Sequence, residues 1–149
     1  MSLENLLKIG RLKTHPTDAR EIEQLLAAAR RNVRDARVTS ISAETRFDAA
    51  YKAIMQTALA ALMMHGYRPD TNQSGHHMTA IQSLSHTVGI DKKRVIVLDA
   101  LRRQRNVNSY SGDDIDESTA EHCIAEAQCL IDDVVSWRAS KRRGLVPGT

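Results

Sequence analysis

The fold is decided by residues 42–66, which read SAETRFDAAYKAIMQTALAALMMHG. Ser42 is a residue type that caps helix starts, and Gly66 is one that commonly ends helices. Between them, apolar residues recur at steps of three and four, which is the spacing of one helix face: Phe47, Tyr51, Ile54, Ala58, Ala61 and Leu62. The pattern predicts a long helix at the centre of the hydrophobic core.

The sequence on either side of this segment predicts five more helices. We place them at residues 2–12, 17–37, 76–88, 91–108 and about 116–141. Pro16 separates the first two, because proline is best tolerated at or before a helix start, and Gly89 separates the fourth helix from the fifth. The last helix begins near Asp116 or at Ser118, which has capping-box spacing to Glu121.

The composition fits one helical domain. A chain of 149 residues with 42% hydrophobic content can bury one sizeable core but is too short for two ordinary domains. Aromatic residues make up only 3%, which favours helices packed through aliphatic side chains over sheets. We therefore predict an all-α fold, an up-down bundle of about five to six helices over residues 1–143, followed by a flexible tail at 144–149.

Neither export nor membrane insertion is indicated. The chain has no run of about eighteen apolar residues, and its first ten residues lack the apolar stretch and cleavage site of an export signal. Cys123 and Cys129 fall in one predicted helix, so their Cα atoms are expected roughly 9 Å apart, beyond the roughly 7 Å limit for a disulfide. We expect a cytoplasmic protein with no membrane contact and no internal disulfide.

The chain is mildly basic, with a net charge of +3 and a pI near 9.1. This balance permits contact with nucleic acid or acidic partners without requiring it. Basic residues concentrate at 92–105 and 138–143, and acidic ones at 113–133. These stretches are either binding surfaces or ordinary solvated helix faces. A DNA-binding regulator would need a helix-turn-helix, for which residues 88–95 are the candidate.

Arg105 is the residue whose position most needs an explanation. At about 100° per residue it projects between Leu98 and Leu101, on the apolar side of the fifth predicted helix. An inward guanidinium needs an acidic partner, an interface or an anionic ligand, and an ordinary salt bridge or carbonyl contact at the helix end explains it equally. Asn106 and Tyr110 add polar groups nearby, where this helix is ending.

Arg105-Asn106 followed by Tyr110 at a helix end, then a glycine and an acidic start to a long final helix, resembles a HEPN domain. Three upstream segments are similar to such domains in order and spacing: Arg46-Phe47-Asp48-Ala49-Ala50-Tyr51, His65-Gly66-Tyr67 and Gly75-His76-His77. The resemblance covers about residues 42–137. It implies a small helical bundle.

The resemblance also implies an activity, because active HEPN proteins are metal-independent ribonucleases. Their motif is an arginine, usually followed by a polar residue, with a histidine four to six positions beyond the arginine. Arg105 and Asn106 match the first part, whereas Tyr110 stands where the histidine is expected. A phenol with a pKa of about 10 is a poor base at neutral pH, although it can donate a proton or position a phosphate. The implied catalytic residues are Arg105, Asn106 and Tyr110.

Similar HEPN proteins are two-fold dimers with both motifs in one basic cleft, often in toxin-antitoxin or defence systems. By this resemblance we expect a homodimer that binds RNA, with Arg102, Arg103 and Asn108 as further RNA contacts, and no cofactor. The alternative is a catalytically degenerate HEPN module that docks an antitoxin or a nucleotidyltransferase without cleaving RNA.

No metal site is predicted from the sequence. His76 and His77 are adjacent, so on a helix they point about 100° apart rather than converging on one ion. The acidic residues at the start of the last helix complement the helix dipole and need no ion: Asp113, Asp114, Asp116 and Glu117.

Overall fold

The computed structural model describes residues 2–145, with side chains described up to Arg142. In this range the chain forms seven helices and one two-stranded sheet, which confirms the all-α class. The elements are α1 (Leu3–Lys8), β1 (Leu12–Thr14), α2 (Ala19–Ala36), α3 (Ala43–Met64), β2 (Tyr67–Pro69), α4 (His76–Gln82), α5 (Leu84–Thr87), α6 (Lys92–Ser111) and α7 (Glu117–Leu145).

All six predicted helices are present, and the fourth is divided into α4 and α5 at Ser83. The Ser83 hydroxyl donates to the carbonyl of Thr79 at 2.7 Å, a back-bond that bends helices. Helix α7 continues to Leu145, two residues into the predicted tail. The remaining predicted tail residues, 146–149, lie outside the described residues.

Helix α3 is central, as its sequence predicts, and packs mainly against α2 and α7. Its small side chains let these neighbours approach closely, and all the apolar residues used to predict it are buried. The fully buried alanines of α3 are Ala50, Ala53, Ala58, Ala60 and Ala61. Helix α2 presents Ala29 and Ala36 to the core in the same way. The core is therefore formed by closely spaced helices and aliphatic side chains, with few aromatic side chains.

Arg46, near the start of α3, is only 2% exposed. Its Nε donates to the carbonyl oxygen of Ala36, at the end of α2, at 2.7 Å. Its two terminal nitrogens donate to Glu117 and Glu121 of α7, the former at 2.7 Å. Each of the three guanidinium nitrogens of Arg46 therefore donates a hydrogen bond to another helix. One guanidinium thus joins the three helices of the bundle core.

The start of α7 corrects the capping-box expectation. The carboxylate of Asp116 accepts a hydrogen bond from the backbone N–H of Thr119 at 2.8 Å, while Glu121 pairs with Arg46. Hydrogen bonds from Thr119 and Ser118 lower the pKa of Asp116, as expected for a carboxylate that caps a helix. Asp116, and not Ser118 with Glu121, is the cap.

A short antiparallel sheet was not predicted. Strand β1 pairs with β2 so that Leu12 faces Pro69 and Thr14 faces Tyr67. Strands of three residues are too short to show an alternating pattern in the sequence. The predicted first helix is too long, because α1 ends at Lys8 and Leu12 begins β1. The sheet fastens the N-terminal segment to the turn that follows α3.

Within residues 2–145 no helix combines the length and apolar character that crossing a membrane requires. Cys123 is buried, Cys129 is exposed, and both are free thiols. Burial raises the pKa of the Cys123 thiol to about 12, so this thiol stays protonated in the core.

Candidate functional site

Arg105 projects inward from α6, and its partner is an aromatic ring. Its guanidinium carbon lies 5.4 Å from the centroid of the Tyr51 ring of α3, which is the geometry of a cation–π contact. Among residues 2–145, no carboxylate lies within 4.0 Å of this guanidinium. Arg105 is half-buried, so its charge is held at the edge of the core without a neutralising acid.

Tyr51 connects this arginine to a histidine. The Tyr51 hydroxyl lies 3.2 Å from Nδ1 of His77, within hydrogen-bonding distance. Gly75, with a φ of +78°, immediately precedes α4, and this left-handed turn is available to glycine at little cost. The turn starts α4 against α3, so that His77 meets the phenol. We call Tyr51, His77 and Arg105 the Tyr51 cluster.

The protonation states in the Tyr51 cluster follow from burial and from positive neighbours. Burial raises the pKa of Tyr51 to about 12, against the opposing influence of Arg105 and Arg102. The phenol therefore keeps its proton at neutral pH. The pKa of His77 is lowered, mainly by burial and then by the charges of His76, Arg105 and Arg102. His77 is consequently a neutral imidazole near pH 7, with one ring nitrogen able to accept a proton.

Asp99 forms ion pairs with two of the arginines that are predicted to bind RNA. Its nearly buried carboxylate accepts from Nε of Arg102 at 2.8 Å and lies 3.0 Å from a terminal nitrogen of Arg103. Arg102 is mostly covered, whereas the Arg103 side chain is well exposed. Both arginines therefore have a structural partner on their own helix, beside the Tyr51 cluster.

The remaining predicted site residues do not converge on Arg105. Tyr110 is 94% exposed and follows Arg105 by five residues, which turns it about 140° away around the helix. Asn106 is exposed as well. Asn108 is buried, accepts from Gln104 and donates to the carbonyl oxygen of Asp113 at 2.8 Å, so it holds the turn between α6 and α7. The structure does not bring Asn106, Asn108 and Tyr110 into one site with Arg105.

Tyr110 instead belongs to an exposed row on the opposite side of α6. Ile96 is 68% exposed and Val107 is 59% exposed, the two most exposed large aliphatic side chains among the described residues. With helical geometry, five residues fall within about 80° of one another and point away from Arg105. We call this row the α6 stripe: Ile96, Ala100, Arg103, Val107 and Tyr110.

Sequence reasoning missed two of the three residues in the Tyr51 cluster. In the sequence, both residues stand in segments that resemble HEPN domains, but neither is predicted as a site residue: Tyr51 is predicted to lie in the core, and His77 is weighed as a metal ligand and rejected. The available signal was the inward face of α3, which places Tyr51 near other elements, together with a histidine pair directly after the helix-starting Gly75. No spacing rule relates residue 51 to residue 77 or 105, because the contacts join three different helices.

No protein-family model matches this chain, and no curated protein matches it significantly in sequence. The interpretation of the Tyr51 cluster therefore depends on its own residues and geometry. Over residues 2–145, no group of three or more His, Cys, Asp or Glu residues is placed so that it could hold a metal ion.

Proposed function

We propose that this chain binds RNA at the Tyr51 cluster and cleaves it there without a metal ion. The observation that carries the proposal is the position of Arg105, a guanidinium with no carboxylate within 4.0 Å among the described residues, on the ring of the tyrosine whose hydroxyl contacts His77. A cation at the edge of the core favours an anion such as a phosphodiester. An adjacent neutral imidazole supplies proton transfer at neutral pH.

The chemistry that this arrangement supports is transesterification within the RNA strand. His77 takes the proton of a ribose 2′-hydroxyl, and the 2′-oxygen forms a bond to phosphorus. The bond from phosphorus to the 5′-oxygen breaks and that oxygen takes a proton from solvent water, which leaves a 2′,3′-cyclic phosphate and a 5′-hydroxyl; His77 then releases its proton to solvent. Arg105 stabilises the negative charge that develops on the phosphate oxygens.

Tyr51 positions both of the other residues. Its ring holds the Arg105 guanidinium by the cation–π contact, and its hydroxyl fixes the His77 ring through Nδ1. In this arrangement the Nδ1–H of His77 donates to the phenol oxygen, so that Nε2 is the unprotonated nitrogen and accepts the proton. Because the pKa of Tyr51 is raised to about 12, the phenol serves as a neutral hydrogen-bonding group and not as a base.

The HEPN resemblance supports the same class of activity. The proposed site also accounts for the departure of this chain from the HEPN motif. In this proposal His77, from the start of α4, supplies the imidazole that the sequence lacks at position 110. Arg105 and Asn106 match the motif arginine and its polar neighbour. The resemblance further supports a toxin-antitoxin or defence setting.

The decisive experiment is an RNA cleavage assay with the purified full-length chain in excess chelator. We expect cleavage products that carry a 2′,3′-cyclic phosphate, at least about 100-fold slower formation in Arg105→Ala and His77→Ala, and near-normal rates in Tyr110→Phe. Arg31→Ala and His86→Ala are matched controls, because both of these residues are exposed and lie outside the cluster. Unchanged cleavage in Arg105→Ala and His77→Ala refutes the proposed site.

The α6 stripe supports a second candidate function, a non-enzymatic module that docks a protein. Residues 96, 100, 103, 107 and 110 have the alternating three- and four-residue spacing by which two helices pack. A second copy of the chain is the partner we favour, since one stripe can pair with itself across a two-fold axis. An antitoxin or nucleotidyltransferase is the partner that the HEPN resemblance implies. Salt-sensitive RNA binding without any products supports this module over the enzyme.

A further inference from the structure

A pocket lies at the other end of α3 from the Tyr51 cluster. The first residues of α2, the end of α3 and the last turns of α7 border an open cavity of about 420 Å³ there, within the volume range of small-molecule sites. His65 follows Tyr51 by fourteen residues, so the pocket is roughly 20 Å from the cluster along the helix axis. We call it the Trp137 pocket; its lining includes Ala19, Ile22, Met64, His65, Trp137 and Lys141.

The inner wall of the Trp137 pocket is apolar and aromatic. Ile22 is buried, and Met64 and Trp137 are half-buried. His65 packs against the indole with ring centroids 5.2 Å apart, while its Nε2 donates to the carbonyl oxygen of Thr87 at 2.7 Å. This hydrogen bond fixes the imidazole and so supports one side of the indole. The wall is therefore formed before any ligand arrives, which favours binding.

The mouth of the Trp137 pocket is positively charged. Arg138 and Arg142 share a single carboxylate, Glu23. Lys141 lies over the Trp137 ring, with its nitrogen 5.4 Å from the centroid, and no carboxylate of the described residues is within 4.0 Å of it. Three cations thus face one carboxylate. The excess positive charge at the rim of an apolar pocket selects a molecule with an apolar body and an anionic group.

We propose that the Trp137 pocket binds a small amphiphilic anion, a one- or two-ring aromatic body carrying one carboxylate or phosphate group. The aromatic body enters between Ile22, Met64 and the indole, and the anionic group pairs with Lys141 and Arg142 at the mouth. This site is independent of RNA cleavage, because it shares no residue with the Tyr51 cluster.

Trp137 is the only tryptophan of the chain, so its indole N–H gives a single resonance that reports directly on the pocket. The experiment titrates the ¹⁵N-labelled full-length chain with 2-naphthoate, the uncharged 2-naphthamide, 1-naphthyl phosphate and inorganic phosphate. We expect saturable shifts of the indole resonance with naphthoate or naphthyl phosphate, at least about 10-fold weaker binding of naphthamide, and no shift with inorganic phosphate. Comparison of the affinities for naphthoate and naphthyl phosphate shows which anionic group the pocket prefers.

Three variants test the assignment of the charges and the cavity. Lys141→Gln with Arg142→Gln should lower naphthoate affinity to that of naphthamide, and Ala19→Phe should block the pocket while leaving its cations in place. Lys52→Gln, an exposed lysine of α3, is the matched charge control and should bind normally. Equal affinity for naphthoate and naphthamide, unchanged binding in Ala19→Phe, or no saturable shift with either anion would overturn the proposal.

Discussion

The hydroxyl of Tyr51 and Nδ1 of His77 lie 3.2 Å apart, although 26 residues separate them in the chain. The same phenol ring contacts the guanidinium of Arg105. One side chain of the central helix therefore orients a titratable imidazole and a cation that come from two other helices. A buried tyrosine hydroxyl usually finds a hydrogen-bond partner; here that partner is an imidazole, and the ring of the same residue also holds a guanidinium.

Two substitutions at Tyr51 should separate its ring from its hydroxyl. Tyr51→Phe keeps the cation–π partner of Arg105 and removes the bond to His77, so we expect RNA binding to persist while the cleavage rate falls about 10-fold. Tyr51→Leu also removes the ring face, so RNA affinity should fall as well. Binding by fluorescence anisotropy and single-turnover cleavage measure the two effects; equal loss of both in Tyr51→Phe argues against the positioning role.

The stability of the chain should depend on His77 in mildly acidic solution. Because folding lowers the pKa of His77 below its ordinary value of 6.5, the unfolded chain binds the proton more tightly, and stability rises with pH across that window. Acidification from pH 7 toward the folded pKa should therefore destabilise the wild-type chain more than His77→Gln. Urea unfolding at several pH values measures this difference. His86→Gln should behave as the wild type does, and parallel curves for wild type and His77→Gln contradict the prediction.

Replacing Arg46 should destabilise the whole bundle. Arg46→Met leaves the carbonyl of Ala36 without its donor and removes both ion pairs to α7, and unpaired buried acceptors are costly. We expect a melting temperature several degrees lower by circular dichroism. Arg37→Met is the control, because the Arg37 side chain is exposed and donates a single hydrogen bond, to Gln128, among the described residues; a similar loss in both variants means that Arg46 has no special role.

Self-association should depend on the α6 stripe. Ile96→Asp and Val107→Asp place charge where two copies would pack, so each should lower the dimer fraction in sedimentation velocity at least several-fold without lowering the melting temperature. Val38→Asp, at another exposed aliphatic residue, should leave association unchanged. A chain that is monomeric at high micromolar concentration, or a dimer that persists in both stripe variants, removes the second copy as the partner.

The helices and the buried face of α3 could be predicted from local sequence patterns. The three- and four-residue spacing from Phe47 to Leu62 predicts α3 and its buried face, since a helix of this period must bury one continuous apolar side. Pro16 and Gly89 predict interruptions for backbone reasons that act within a few residues. The same local logic missed strands β1 and β2, whose pairing joins Leu12 to Pro69 across the whole of α2 and α3.

Which polar groups contact one another depends on how the helices pack. Helical spacing correctly predicts that Arg105 points inward. It cannot predict the partner of Arg105, which is the ring of Tyr51 and not an acidic residue. Tyr110, close to Arg105 in sequence, points to solvent, while His77, far from it in sequence, shares the cluster. The reason is physical: secondary structure follows from local backbone and side-chain preferences, whereas contacts between helices depend on how whole apolar faces pack, and no single segment contains that information.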